Sequence, residues 1–118
     1  MFLPAESERA ELVEVIRLGG SDDGLLVAIW EADRARSALD LIASVPHEEI
    51  KRCFVPGWTI RAHGAAGPLF EIEFCFRCDG AKLSGPVVAE DQRTIHGFDA
   101  RSAQAQELLS RFRSEEPA

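Results

Sequence analysis

Hydrophobic and polar positions along this chain change period several times, and each change marks an expected element. The clearest signal lies at residues 69–78, where Leu69, Glu71, Glu73, Cys75 and Arg77 alternate with Phe70, Ile72, Phe74, Phe76 and Cys78. A period of two is that of a half-buried strand, so the phenylalanines and Ile72 should face a core and the glutamates should face outward. Residues 51–62 are the expected hairpin partner, across a Gly/Ala/Pro tip at 64–68. Pro56-Gly57 would interrupt that first strand, which suggests an edge position or a bulge. Counting back from the tip sets Cys53 opposite residues 77–79, so Cys53 and Cys78 become cross-strand neighbours. The chain has three cysteines, and this register gathers Cys53, Cys75 and Cys78 at the open end of the hairpin.

Elsewhere the pattern is shorter. In residues 11–18, Val13, Val15 and Ile16 favour a strand. A helix competes there, because Ser7 is a capping residue and Gly19-Gly20 a stop. The preferred reading is a short N-terminal turn or helix leading into a strand, then a flexible connection over 19–24. Residues 25–30 form a compact apolar run of strand length that would pair with the first strand. Asp33 is the expected N-cap of a helix whose buried stripe is Ala35, Ala38, Leu39 and Ile42, with Arg34, Arg36 and Asp40 on the other side. Pro46 ends it near Val45, and His47, Glu48 and Glu49 would begin a further turn. After Gly80 the signal weakens into a short strand at 81–88 broken at Gly85-Pro86, a polar turn at 90–92 and a short strand at 93–98. Asp99 would cap a last helix with Ala105, Leu108, Leu109 and Phe112 as its apolar stripe, and with Arg111 and Arg113 favouring its negative end. The expected fold is α+β: an antiparallel four- to five-stranded sheet with two helices packed on one face. All of 1–118 reads as a single domain, with 1–10 and 114–118 loosely ordered.

Composition narrows the function classes. Hydrophobic content of 46% beside 28% charged residues is globular, not disordered. No apolar run approaches the roughly 18 residues of a membrane span. The N-terminus lacks the basic start and apolar core of a secretion signal, so a cytoplasmic location is the default expectation. A formal net charge of −7 opposes nucleic-acid binding, which needs clustered Lys and Arg, and suits a basic protein partner.

Candidate chemistry centres on the cysteines. Cys75-x-x-Cys78-Asp79-Gly80 has the form of half a zinc knuckle, but a structural zinc needs four ligands and no second such pair is present. Cys53 with His96 or His63 would complete the shell only through the fold, making Cys53, Cys75, Cys78 and His96 the alternative metal set. A redox pair is a further option, although Cys75 sits in a strand and not at a helix N-terminus. The favoured expectation is reduced, structural thiols with no metal or other cofactor. His47, His63 and His96 share no ligand spacing, and His63 beside Gly64 reads as a hairpin-tip residue. Ser37, Ser44, Ser84, Ser102 and Ser110 lack a nucleophile-elbow context, and there is no phosphate-binding glycine motif. Outward Glu71 and Glu73 read as solvated, so enzyme activity is disfavoured and no catalytic residue is assigned.

Tryptophan and arginine are over-represented among interface hot spots. Trp58, Arg61 and Trp30 are therefore the candidate partner-binding residues, with Trp58 expected to point out of an edge strand. The competing reading puts both tryptophans over the helix–sheet core. The segment Cys53-Phe54-x-Pro56-x-x-x-Ile60-Arg61, then Phe74-Cys75-Phe76-x-Cys78 and a terminal amphipathic helix, resembles a loose group of small uncharacterised bacterial proteins. That resemblance covers about half the chain and implies a bacterial source and a shared hairpin, with no activity to carry over. Trp58 stands where a histidine often stands in that group, which weakens a metal reading. The expected function is a non-catalytic protein-binding module, an immunity-type antagonist of a basic toxin or effector. The alternative is a zinc- or thiol-dependent regulatory module built on the three cysteines.

Overall fold

A computed structural model describes residues 1–19, 24–51 and 53–117, so residues 20–23 of the expected 19–24 connection lie outside the described residues. The chain opens with a 3-10 turn, Ala5–Arg9, and enters strand β1, Leu12–Arg17. The β-branched run in β1 thus prevails over the helical alternative for 5–18. Strand β2, Leu25–Glu31, runs straight into helix α1, Ala32–Ser44. The turn between them falls on Ala32, whose φ is +49°. Asp33 therefore lies inside the first helical turn, where its carboxylate favours the positive end of the dipole, and is not the cap. A connection over 45–57 leads to β3, Trp58–Gly64, and the hairpin continues into β4, Gly67–Cys75. Strand β5, Gly80–Ser84, a 3-10 turn at Glu90–Gln92, β6, Ile95–Gly97, and helix α2, Ala103–Ser114, complete the chain. Ser102, not Asp99, caps α2: its Oγ accepts the Ala105 N–H at 3.1 Å. Asp99 acts one turn earlier, accepting the Arg101 N–H at 2.9 Å.

The architecture is α+β with one antiparallel sheet, and the sheet has six strands in the order β2-β1-β3-β4-β5-β6, not four or five. The difference arises beyond Gly80. Strand β5 has five residues and β6 three, too few to display a period of two, yet Ala81 pairs with His96 and Lys82 with Ile95. Strand β3 is central, flanked by β1 and β4, so Pro56-Gly57 marks the entry to the ladder and not an edge. No described helix is long and apolar enough to cross a membrane.

Both helices bury their apolar stripes against one sheet face, where Val13, Val15, Ile60, Ala62, Phe70, Ile72, Phe74 and Leu83 form the sheet side of the core. The ring of Phe112 from α2 is the centre of this layer. It lies 5.2 Å from Trp58, 5.9 Å from Trp30 and 5.6 Å from Phe74 between ring centroids. Phe76 lies just beyond β4 but still reaches the core, edge-on to Phe98 at 5.4 Å. Trp30 introduces a cost here, because its indole N–H is buried without a hydrogen-bond partner among the described residues. Such an orphaned donor costs about 1–3 kcal/mol, comparable with the apolar area that a smaller ring would lose. Trp30→Phe is therefore expected to change stability by less than about 1 kcal/mol in urea unfolding, against several for an ordinary truncation in the core.

The 45–57 connection is a strap held at several points along the sheet's end. The Asp99 N–H donates to the Pro46 carbonyl at 2.8 Å, the Lys51 N–H to the Cys78 carbonyl at 2.9 Å, and the Gly57 N–H to the Phe74 carbonyl at 3.0 Å. Lys51 Nζ also pairs with Asp79 at 3.4 Å. The strap lies on two glycines that are partners across β5 and β6, Gly80 and Gly97. A Cβ on Gly97 would sit 1.8 Å from the Glu48 carbonyl oxygen, and one on Gly80 2.8 Å from Ile50 Cδ1. Two absent side chains thus make the bed that positions Cys53.

Candidate functional site

Strand parity separates the residues expected to dock a partner. Trp58, Ile60 and Ala62 face the helices, while Thr59, Arg61 and His63 face away, because successive side chains alternate. Trp58 and Arg61 are three positions apart and cannot share a face. Trp58 is 4% exposed and Trp30 3%, so both fill the helix–sheet layer and neither points out of the sheet. Apolar Ile60 and Ala62 were the sequence signal for that parity. Arg17 covers the outer rim of Trp58, with its guanidinium 5.1 Å from the ring.

Arg61 does lie on the face away from the helices, in a row contributed by three strands. Its Nη1 is 3.5 Å from Glu14 Oε1 on β1, and its Nη2 3.2 Å from Glu71 Oε1 on β4. His63 Nε2 also meets Glu14 Oε1, at 2.5 Å. His63 is therefore a member of the β3 ladder with a carboxylate partner, and not simply a tip residue. Partly exposed ion pairs of this type contribute roughly 0–1 kcal/mol each, so the row orients side chains more than it holds the fold. A cleft of about 330 Å³ opens beside it, bounded by Arg61, His63, Pro68, Glu71 and Pro86.

Further along the same face lies the sheet's long free edge. Strand β2 is terminal in the sheet, and its Leu25, Leu26 and Ile29 are exposed large hydrophobics. Leu26 pairs with Ile16 and Ile29 with Glu14, which places both on the side that carries Arg61. Edge strands commonly carry Lys or Pro to discourage further pairing; β2 has neither, although the register shift opposite Val15/Ile16 adds a bulge. The continuous apolar run at 25–30 contained this signal, but only the sheet order distinguishes an exposed edge from a buried strand.

The cysteines assemble largely as the hairpin count implied. Cys75 and Cys78 bracket a tight turn at the end of β4, closed by the Cys78 N–H on the Cys75 carbonyl at 3.2 Å. Their Cα atoms are 5.2 Å apart and their sulfurs form a disulfide, where free structural thiols were expected. Cys53, exposed on the strap, is a free cysteine with its Sγ 3.5 Å from Cys78 Sγ. His96 is engaged elsewhere: it stacks on Phe2 at 5.8 Å, and its Nε2 lies 2.9 Å from the Gln92 carbonyl oxygen. Among the described residues no three His, Cys, Asp or Glu side chains are grouped so as to hold a metal ion.

A cleft of about 340 Å³ also runs between α1 and α2, over Trp30. It is crossed by Arg111 Nη1 donating to Ser37 Oγ at 3.0 Å and by Arg34 Nη2 donating to Glu115 Oε1 at 3.2 Å. These bridges fasten α2 to α1 and leave their polar groups partnered. Comparison with protein-family models, with curated proteins and with solved structures finds no match to this chain.

Proposed function

We propose that the protein is a non-catalytic binding module, an immunity-type antagonist that docks a basic protein partner against the free edge of β2 and the adjoining sheet face. The observation that carries this reading is the long apolar edge, free of Lys and Pro, formed by Leu25, Leu26 and Ile29. An extended segment of a partner can add to such an edge through main-chain hydrogen bonds, while exposed side chains supply selectivity. Glu14, Glu31, Glu71 and Glu73 occupy the same face by register, against Arg61 and Lys82, and the whole chain carries −7. This excess of carboxylates favours a cationic partner by speeding encounter and penalising acidic competitors. Arg61, already shared between Glu14 and Glu71, would act as a polar contact at the rim of the apolar anchor.

The test is native mass spectrometry of the untagged protein purified from its own host, repeated with the Leu26→Asp/Ile29→Asp double variant. A basic protein should co-purify at fixed stoichiometry with the parent chain. The double variant should weaken that complex by about thirtyfold or more in Kd, the roughly 2 kcal/mol expected of a central apolar anchor, with unchanged circular dichroism. Retention of the partner by the double variant, or a parent chain that carries only copies of itself, would remove this reading.

A further inference from the structure

We propose that Cys53, Cys75 and Cys78 form a thiol–disulfide relay, in which Cys53 exchanges with low-molecular-weight thiols and disulfides on behalf of the enclosed Cys75–Cys78 pair. The inference is independent of partner docking, since the sulfurs lie at the strap end of the sheet and use none of the β2 edge.

Access is the first part of the argument. Exchange requires a thiolate to reach a disulfide sulfur, and Cys75 is 2% and Cys78 1% exposed. A thiol in solution has no open approach to either. Cys53 is exposed, and its sulfur is already 3.5 Å from Cys78, the separation of reacting atoms poised for attack. The strap keeps it there: Lys51, two residues away, is tied to the same turn by its N–H on the Cys78 carbonyl and by its ammonium on Asp79. Cys53 therefore meets the disulfide at the effective concentration of an intramolecular reactant.

The exchange balances without an added oxidant. The Cys53 thiolate attacks Cys78 Sγ, the Cys75–Cys78 bond breaks, and the electron pair leaves on Cys75, which takes up the proton that Cys53 released to solvent. The product is a Cys53–Cys78 disulfide with a Cys75 thiol, at an unchanged oxidation level. An external thiolate then attacks the exposed Cys53 sulfur, forming a mixed disulfide there, and Cys78 departs as a thiolate and is protonated. A second external thiolate attacks the external sulfur of the mixed disulfide, and Cys53 departs as a thiolate and is protonated. The sum is two external thiols oxidised to one external disulfide and the protein disulfide reduced to two thiols. Run in reverse, the same steps let an external disulfide oxidise the enclosed pair.

The test uses the full chain in its oxidised form, with reduced glutathione as the probe, acid quenching, alkylation and peptide mapping. The parent chain should show glutathione only on Cys53, and only in molecules that have already lost the Cys75–Cys78 bond. Cys53→Ser, a change at an exposed position, should slow reduction of that bond by about tenfold or more, the advantage of an intramolecular attacking group. Cys75→Ser, exposed to oxidised glutathione, should accumulate a Cys53–Cys78 disulfide while remaining folded by circular dichroism. Reduction of Cys53→Ser at the parent rate, glutathione found on Cys75 or Cys78, or a folded Cys75→Ser chain that forms no Cys53–Cys78 bond would each overturn the relay. So would a zinc ion retained by the three sulfurs in native mass spectra, because metal-bound thiolates are withdrawn from exchange.

Discussion

Phe112→Ala should lower the stability of the folded chain by about 3–5 kcal/mol, the usual range for truncating a fully enclosed phenylalanine. The ring is 0% exposed and packs against the rings of Trp30, Trp58, Phe74 and Phe76. Its removal takes away stacking on both indoles and leaves a void lined by rigid aromatic rings, which cannot collapse as a flexible aliphatic site would. Trp30 and Trp58 come from β2 and β3, so the loss falls on the seam between the helix and the strands on either side of β1. Urea unfolding followed by tryptophan fluorescence should show a lower midpoint with an unchanged slope, the mark of lost stability without a change in the surface exposed. Phe112→Leu, which keeps most of the volume, should cost clearly less. A cost below about 1 kcal/mol for the alanine variant would mean that α2 is not seated on this layer.

Gly97→Ala should be the second large effect, and a local one. The added methyl would fall 1.8 Å from the Glu48 carbonyl oxygen and 2.9 Å from its carbon, so backbone must move and no side chain can rotate aside. Overpacking of this sort costs about 1–3 kcal/mol, and a clash with main chain belongs at the upper end. Displacing the strap there should loosen the Asp99–Pro46 and Lys51–Cys78 hydrogen bonds on either side of Glu48. Amide hydrogen exchange at Asp99 and Lys51 should therefore accelerate, while amides of β1 and β4 keep their protection. Gly80→Ala is the control. Its nearest atom is the end of the Ile50 side chain, which can change rotamer, so a smaller cost is expected. Equal and negligible effects of the two substitutions would show that the strap does not rest on this bed.

Several parts of this arrangement were legible because the relevant physics is local. The alternation of 69–78 identified β4 and the face on which its glutamates sit, and the stripe Ala35, Ala38, Leu39 and Ile42 identified the buried side of α1. The same hairpin count brought Cys53 to Cys78. The count succeeded although 53–57 forms no strand, since the strap still meets the end of β4 through Gly57 and the turn beyond it through Lys51. The orientation of Trp58 was readable in principle from Ile60 and Ala62; the attraction of Pro56-Gly57 as a sign of an edge strand obscured it. Helix starts were less legible, because Asp33 and Asp99 are good capping residues and only the connecting geometry assigned the actual boundaries to Glu31 and Ser102.

By itself, then, the sequence determined the α+β class, both helices with their buried faces, the β3–β4 hairpin and the gathering of the sulfurs, because each follows from spacings of two to four residues or from one short turn. Only the tertiary structure decided the pairing of β1 with β3, which sets Glu14 against His63 across a separation of 49 residues. It also decided that β2 ends the sheet with its leucines exposed, that Cys75 bonds to Cys78 and leaves Cys53 a free thiol, and that the strap lies on Gly80 and Gly97. These features depend on which distant apolar faces are buried together, and the closure of long loops costs too little extra free energy for local pattern to select among the alternatives.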